Sequence, residues 1–316
     1  MRLLEFESKA ILNKHQISTP RGTVFSSSEG LTIKGPVMLK AQIPLGGRGK
    51  SGGILEAVTL EEVKAKIEDL LSTKVRGYKP KRILMEEKVE IDQEFFLSIT
   101  YDTVAKGPVA IFSPEGGVDI EELALQKPDK VRKELQKPDK VRKELFSART
   151  GLRQHRAREI ISETGISGKL LLKLGVILSK LADVFLDYDA TVAEINPLAL
   201  TKDGQLIALD CHLDIDDDAT FRHKEFEEIE KDLNRVESSR SMSEFERKAA
   251  EIDNLDHRGV AGRVIEFDGT LGLIIGGGGA SLTAFDAVQA HGGKPANYCE
   301  IGGNPSVLKV KELTKL

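Results

Sequence analysis

The residues best suited to binding an anion are the nine from Leu45 to Gly53, which contain five glycines and two cations, Arg48 and Lys50. Glycine loses more conformational freedom on ordering than any other residue, so this run does not suit the interior of a helix or strand. It does allow backbone N–H groups to approach an anion, and the two cations add charge of the right sign. We therefore expect a flexible phosphate-binding loop. The alternative is a mobile surface loop without a ligand.

An apolar segment leads into this glycine loop. The run Val37–Ile43 is hydrophobic apart from Lys40 and Gln42, which predicts a buried strand carrying one lysine. We expect Lys40 to reach from that strand toward the same anion as the loop. The G-x-x-x-x-G-K-[ST] spacing is absent, so this is not a P-loop.

An amide and a carboxylate far downstream form a candidate metal pair. Two strand-like runs are joined by Lys202–Gly204, and a three-residue hairpin loop usually needs glycine at its last position. That register pairs Asn196 with Asp210, whose Cβ atoms would lie about 5 Å apart. Both oxygens could then reach one Mg²⁺, an ion commonly held by one or two carboxylates and nucleotide phosphates. A four-residue loop would separate them onto opposite faces, and the alternative role is capping of the strand ends.

Composition excludes several classes of protein. The chain has 316 residues, a net charge of -4 and a pI of about 6.0, which argues against general nucleic-acid binding. No apolar run approaches the roughly 18 residues of a membrane span. Cys211 and Cys299 are far apart and have no metal-type spacing, so a reducing cytoplasm is the expected compartment.

Hydrophobic periodicity predicts an α/β chain. The predicted helices are residues 4–15, 59–71, 168–187 and a run ending at 291, with charged helical segments between 221 and 254. The predicted strands are residues 37–43, 82–87, 94–102, 108–113, 191–200, 205–210 and 270–275. The last strand runs into Gly276–Gly279 and a helix, which indicates the start of a second domain.

A ten-residue segment occurs twice in succession. Residues 126–135 are repeated without change as residues 136–145. The period is too short for a solenoid repeat, and each copy has proline at a plausible first helical position. Two short surface helices are therefore possible, and a recent duplication or an assembly artefact explains the repeat without any chemistry.

Several motifs, each weak alone, occur in an order typical of one family. They are Leu4–Lys9, Lys40 with Gly46–Gly53, Glu115–Val118, Glu194–Leu198 and Gly292–Asn297. Together they resemble the beta subunits of succinyl-CoA synthetase, which are ATP-grasp acid–CoA ligases, from residue 1 to the end of the chain.

The resemblance implies a domain arrangement. An α+β ATP-grasp domain would occupy residues 1–225, followed by a charged helical linker over residues 226–250. Residues 251–316 would begin a flavodoxin-like parallel α/β CoA-ligase domain. We expect that domain to be incomplete, because the sequence stops before the family's distal Gly-Gly-Ile segment.

The resemblance also implies site residues. Nucleotide binding would involve Lys40, Gly47, Arg48, Gly49, Glu86, Val89 and Glu94. Glu86 would belong to the hinge at the adenine and Glu94 would contact the ribose, although both could be ordinary solvated carboxylates at strand ends. Asn196 and Asp210 match the family's Mg²⁺ ligands, in agreement with the hairpin register.

The implied activity joins a carboxylate, succinate in this family, to CoA with cleavage of ATP or GTP. Phosphate would pass through a histidine on an alpha-subunit partner that also holds CoA. This chain would supply the nucleotide, Mg²⁺ and part of the carboxylate site. The N–H groups after Gly276–Gly279 would face the phosphohistidine or acyl phosphate. Surface or packing roles are expected for the chain's own histidines: His15, His155, His212, His223, His257 and His291.

The sequence departs from the family at two informative places. Gly276 stands where the family usually has an asparagine that contributes to substrate binding, and Cys211-His212 stand where a small residue and lysine are common. The amino-acid sequence around Gly276–Gly279 also resembles that of the related subunit of ATP-citrate lyase. Citrate is therefore an alternative to succinate, and a non-catalytic nucleotide-binding assembly subunit is a further alternative.

Overall fold

The computed structural model describes residues 1–116, 141–231 and 243–316. These residues form two compact units, one containing the described residues up to 231 and the other beginning at residue 243. The division falls inside the predicted linker of residues 226–250, and the domain boundaries themselves stay predictions. Within the described ranges, no helix is both long and apolar enough to cross a bilayer.

A four-stranded antiparallel sheet makes up one part of the first unit. Its strands are β1 (Gly22–Phe25), β2 (Val37–Ala41), β3 (Ile54–Ala57) and β4 (Ile83–Glu87), in the order β1-β4-β2-β3. Helix α2 (Leu60–Ser72) packs against this sheet and buries Val63 and Ile67. The predicted start of α2 is confirmed, because Thr59 Oγ1 accepts a hydrogen bond from Glu62 N at 3.2 Å.

A larger antiparallel sheet forms the rest of that unit. Its strands are β5 (Ile91–Asp102), β6 (Gly107–Ser113), β7 (Arg142–Leu145), β8 (Ala190–Thr201), β9 (Leu206–Ala208) and β10 (Cys211–Ile215). The order is β10-β8-β5-β6-β7, with β9 pairing to β8. The strands predicted in these regions are confirmed with small shifts at their ends.

Helices of the first unit cover the larger sheet. They are α1 (Glu5–Lys14), α3 (Gln154–Ser162), α4 (Gly168–Asp187) and α5 (Lys224–Lys231), with a 3-10 helix at Asp217–Arg222. The predicted long helix is α4, and it packs Leu174, Leu178 and Phe185 into the core. Burying each such side chain contributes roughly 1.5–3 kcal/mol. Helix α3 was not predicted from the sequence.

The N-terminal residues fix α1 to the larger sheet. Leu3 N donates a hydrogen bond to Leu213 O at 3.0 Å. Because i and i+4 positions share one face of a helix, Glu5 and Lys9 then point the same way, and both are buried. This placement carries two charged side chains into the interior of the unit.

The second copy of the repeated segment corrects one prediction. Its last four residues, Arg142–Leu145, form β7 and pair with residues 109–112 of β6 instead of continuing a helix. Without β7, the outer edge of β6 would have unpaired backbone N–H and C=O groups. Pairing with that edge outweighs a weak local preference for helix. Residues 117–140, which hold the first copy and the start of the second, lie outside the described residues.

The second unit is a small mixed α/β structure. It contains α6 (Glu244–Asp253), β11 (Val260–Glu266), β12 (Ile275–Gly276), α7 (Gly279–Ala290), β13 (Asn297–Gly302) and α8 (Val307–Lys315). The strand order is β11-β13-β12. The parallel pairing expected for this domain occurs between β12 and β13, whereas β11 is antiparallel to β13. Of the predicted strand at 270–275, only Ile275 belongs to a strand of the structure, the two-residue β12.

Candidate nucleotide and metal site

The hairpin between β8 and β9 has the predicted register. Leu200 pairs with Leu206, and Asn196 N donates a hydrogen bond to Asp210 O at 3.2 Å. Gly204 closes the loop with a φ of +78°, the left-handed conformation that favours glycine. Asn196 and Asp210 consequently line the same cavity.

That cavity has a volume of about 400 Å³ and lies between the glycine loop, the N-terminal segment and the hairpin. It collects six of the residues predicted to bind nucleotide or metal: Lys40, Gly47, Arg48, Gly49, Asn196 and Asp210. Residues more than 150 positions apart in sequence therefore meet at one place in the fold. Their roles in binding stay predictions.

The glycine loop folds around the peptide of Arg48. A short 3-10 turn, Gly49–Ser51, ends at Gly52 with a φ of +74°. Ser51 N and Gly53 N both donate hydrogen bonds to Arg48 O, at 3.1 and 2.8 Å. This conformation directs the Arg48 side chain inward, where it is only 5% exposed.

Six charged side chains, four of which line the cavity, form a set that we call the buried charge cluster. Its members are Lys9, Lys40, Arg48, Glu5, Glu86 and Asp210. The cluster balances three cations against three carboxylates, and all but Asp210 are buried. Arg48 Nη2 lies 2.7 Å from Asp210 Oδ1 and 2.8 Å from Glu5 Oε2. The cluster thus connects α1 and the glycine loop to the hairpin of Asn196 and Asp210.

The members of the cluster shift one another's pKa values. Burial raises the pKa of Glu5, but Arg48, Lys40 and Lys9 outweigh that effect and hold it well below its ordinary value. Burial lowers the pKa of Lys40, but Glu5, Glu86 and Asp210 bring it above the usual lysine value. Both groups are therefore ionised at neutral pH.

Lys40 is engaged with protein groups in this structure. Its Nζ lies 2.9 Å from Glu5 Oε1, 2.9 Å from Glu86 Oε2 and 2.6 Å from Leu209 O. An ammonium group has three N–H donors, so these contacts use all of them. Binding a phosphate oxygen therefore requires Lys40 to exchange at least one of these partners.

The remaining predicted site residues lie elsewhere. Glu86 is buried in the charge cluster, so the alternative of an ordinary solvated carboxylate is wrong for this residue. Val89, in the connection between β4 and β5, and Glu94, within β5, are half-buried and do not line the cavity. Gly276 is exposed in the second unit. The predicted nucleotide and substrate roles of these four residues remain untested by their positions.

Sequence reasoning assigned no role to Glu5 or Lys9. A usable signal was their spacing, because Glu5, Ser8, Lys9 and Leu12 share one face of α1. A charged i,i+4 pair on the same face as a core leucine is buried with it, which demands ionic partners from other elements. The partners come from β2, β4 and the glycine loop and could not be identified from α1 alone.

Besides the buried charge cluster, a second set of charged and polar side chains contributes to the cavity, and the sequence did not predict it. Arg2 Nη2 and His212 Nε2 lie 2.7 and 3.2 Å from Asp214 Oδ2. Burial raises the pKa of Asp214, but hydrogen bonds from His212 and Arg2 outweigh it and hold the pKa below its usual range. His212, for which we predicted a surface or packing role, lines the cavity.

The chemistry of the donor set fits a magnesium ion. Among the described residues, no group of three or more His, Cys, Asp or Glu side chains could hold a metal. Asn196 and Asp210 offer an amide and a carboxylate, the kind of pair that Mg²⁺ takes together with phosphates and water. Asp210 Oδ1 already accepts hydrogen bonds from Arg48 and from Cys211 N, at 2.7 and 2.8 Å. A carboxylate has about four lone-pair positions, so Asp210 can also accept a cation.

The glycine turn of the second unit has a different environment. Gly278 N donates a hydrogen bond to Glu300 Oε1 at 2.8 Å. Tyr298 Oη donates to Glu300 Oε2 at 3.1 Å and lies 2.7 Å from Ser281 Oγ. A carboxylate of the chain itself therefore sits at this turn.

Comparisons with known proteins agree with this geometry. Residues 2–200 match the family model of the ATP-grasp domain. The beta subunit of an ADP-forming succinate–CoA ligase from Ignicoccus hospitalis is 37% identical over 316 residues, which covers 98% of this chain and 77% of that protein. The corresponding subunit from Methanocaldococcus jannaschii is 36% identical over 98% of this chain and 77% of its own length.

Solved structures share the fold. ATP citrate lyase from Methanothrix soehngenii, in complex with citrate and coenzyme A, superposes with a TM-score of 0.69 over 99% of this chain and 75% of that one. The sequence identity is 18%, so the likeness concerns the fold alone. The family resemblance and the ATP-grasp fold class that we expected from the sequence are confirmed.

Proposed function

Because the chain belongs to the family of beta subunits of ADP-forming succinate–CoA ligases and carries an ATP-grasp domain, we propose that it binds Mg·ATP and supports CoA-thioester formation. One observation supports this proposal above the others. Lys40 and Arg48 meet Asn196 and Asp210 in a single cavity, which joins cations suited to phosphates with oxygens suited to a divalent metal.

Catalysis by this chain rests on position and charge. Phosphoryl transfer needs little covalent chemistry from the protein, so the main contributions are alignment of the nucleotide and neutralisation of its charge. Lys40 and the backbone of Gly47, Arg48 and Gly49 would hold the phosphates. Bound Mg²⁺, held by Asn196 and Asp210, would neutralise charge on the phosphate oxygens.

The acceptor of the phosphoryl group is a histidine of an alpha-subunit partner in this proposal. The bond from the γ-phosphorus to the β–γ bridging oxygen breaks, a P–N bond forms, and ADP leaves. The carboxylate substrate then takes the phosphoryl group as an acyl phosphate. The CoA thiol attacks the acyl carbon, which releases phosphate and forms the thioester.

The acid we propose is succinate, as in the names of the relatives, with ATP as the nucleotide and GTP as its alternative. Gly276 would belong to the acid-binding region of the second unit. The compartment we propose is the cytoplasm, because both cysteines are free thiols buried in the structure. Burial raises the pKa of each thiol, that of Cys299 to about 11, which keeps both unreactive.

The test reconstitutes the full chain with an alpha-type subunit that carries a phosphohistidine loop. Formation of CoA thioester is measured with Mg·ATP or Mg·GTP and with succinate or citrate. The proposal predicts nucleotide-dependent succinyl-CoA formation. Product with citrate alone would assign the chain to the citrate-directed alternative. Normal Mg·ATP binding without phosphorylation of the partner would indicate an assembly subunit instead.

A further inference from the structure

Lys9 contacts the same three groups as Lys40. Its Nζ lies 2.7 Å from Glu5 Oε1, 2.6 Å from Glu86 Oε1 and 2.7 Å from Leu209 O. We propose that Lys9 is a positioning residue, a resident cation that keeps these groups paired and so frees Lys40 to bind a nucleotide phosphate. This inference rests on the proposed nucleotide site.

The arrangement of the four charges supports this role. Two ammonium groups and two carboxylates alternate, and each ammonium touches both carboxylates. Lys9 is 5% exposed in its side chain and does not line the cavity, whereas Lys40 does. Of these two lysines, Lys40 is therefore the one that can exchange a protein partner for a ligand in the cavity.

When Lys40 moves from the carboxylates to a phosphate, the presence of Lys9 decides whether both carboxylates stay paired. When Lys40 turns to a phosphate, Glu5 retains Lys9 and Arg48, and Glu86 retains Lys9. Without Lys9, the same movement would leave Glu86 buried with neither ammonium beside it. Because an unpaired buried charge is strongly unfavourable, Lys40 would stay with the carboxylates and the nucleotide would bind weakly.

Lys9 also supports the residue before the proposed metal ligand. Both ammonium groups donate to Leu209 O, at 2.7 Å from Lys9 and 2.6 Å from Lys40. After Lys40 has turned to the phosphate, Lys9 still holds this carbonyl. The peptide that leads into Asp210 therefore keeps its position in the nucleotide-bound state.

A purely structural role for Lys9 makes a different prediction. Removing a cation from the cluster lowers stability in either case, so loss of stability does not distinguish the two roles. Only the positioning role couples Lys9 to nucleotide affinity in protein that is still folded. It also predicts that deleting the charge of Glu86 restores that affinity, because Glu86 is the carboxylate that would otherwise be left without an ammonium group.

The experiment measures the Kd of a fluorescent ATP analogue with Mg²⁺ for the full chain, at a temperature where every variant is folded. Lys9→Met is expected to raise the Kd at least tenfold. Lys9→Met combined with Glu86→Gln is expected to return it to within about threefold of the parent value, because residue 86 then carries no buried charge to leave unpaired and does not line the cavity. Lys14→Met is the matched control, because Lys14 lies on the same helix in an exposed pair with Glu225, and its Kd is expected to be unchanged.

Three results would overturn the inference. They are an unchanged Kd for folded Lys9→Met, a failure of Glu86→Gln to rescue it, and an equal loss in Lys14→Met. If Lys9→Met does not fold, Glu86→Gln alone decides. It loosens Lys40 and must bind at least as tightly as the parent, so a tenfold weaker Kd contradicts the inference. Failure of the parent chain to bind the analogue would instead contradict the proposed function.

Discussion

The two glycine-rich turns of this protein are alike in glycine content but differ in the charged groups that surround them. The first, Gly46–Gly53, brings Arg48 into a cluster of cations and carboxylates beside a cavity. The second, Gly276–Gly279, has no lysine or arginine of its own and holds Glu300 at Gly278 N. Glycine gives close access to the backbone in both places. The charged side chains around each turn decide which ligand that access can serve.

The comparison suggests a division of labour. The first turn is prepared for a polyanion with a metal, since cations and metal-binding oxygens line the same cavity. At the second turn an incoming anion would meet a carboxylate and would have to displace it. We therefore expect strong effects on nucleotide binding from charges at the first turn and weaker effects from charges at the second.

The largest effect is expected from Asp210→Ala. It removes a proposed metal ligand, so Mg²⁺-dependent phosphorylation of the partner should fall on the order of a thousandfold, equivalent to several kcal/mol. Partner phosphorylation with labelled ATP measures it. Asp92→Ala is the control, because Asp92 is exposed and outside the cavity. Activity retained in folded Asp210→Ala would remove Asp210 from the metal site.

Glu5→Gln is expected to lower the free energy of unfolding in a pH-dependent way. The pKa of Glu5 is depressed in the folded protein, so its contribution to stability is present above the unfolded value of about 4.3 and is lost as the pH falls through the folded pKa. Glu5→Gln should cost about 3 kcal/mol in the free energy of unfolding at pH 7, and the difference from the parent should shrink below about pH 4. Urea unfolding at pH 7, 5 and 3 measures it. A difference that is constant over this range would show that the ion pairs contribute little.

A smaller effect is expected from Lys40→Ala. One charge-assisted hydrogen bond to phosphate contributes about 1.5–3 kcal/mol, so the Kd for Mg·ATP should rise roughly thirtyfold. Equilibrium binding to the full chain measures it, with Lys202→Ala as an exposed control. Equal affinities for parent and variant would return Lys40 to a purely structural role in the cluster.

The smallest effect is expected at the second turn. Glu300→Gln keeps the hydrogen-bond acceptor near Gly278 but removes its negative charge. If this turn faces a phosphorylated group, the KM for the phosphorylated partner should fall about threefold, the scale of a single exposed charge interaction. Nucleotide affinity should not change. A large change in nucleotide affinity would contradict the division between the two turns.

The pairing of Asn196 with Asp210 could be predicted from the sequence because it depends on the length and residue types of a short loop. A three-residue loop ending in Gly204 determines which residues face each other, and the structure has that pairing. The strand nature of Arg142–Leu145 depends on an edge offered by β6 and was missed. The burial of Glu5 and Lys9 was missed for the same reason, since their ionic partners come from two distant strands and the glycine loop. Local periodicity predicts elements, whereas contacts between distant elements decide which charges are buried.

The central claim is that Lys40, Asn196 and Asp210 help to bind the same Mg²⁺–nucleoside triphosphate complex. A crystal structure of the full chain with Mg²⁺ and a non-hydrolysable ATP analogue tests it most directly. We predict one Mg²⁺ at about 2.1 Å from oxygens of Asn196 and Asp210, and Lys40 Nζ within about 3 Å of a phosphate oxygen. An analogue whose phosphates lie away from these three residues would contradict the claim.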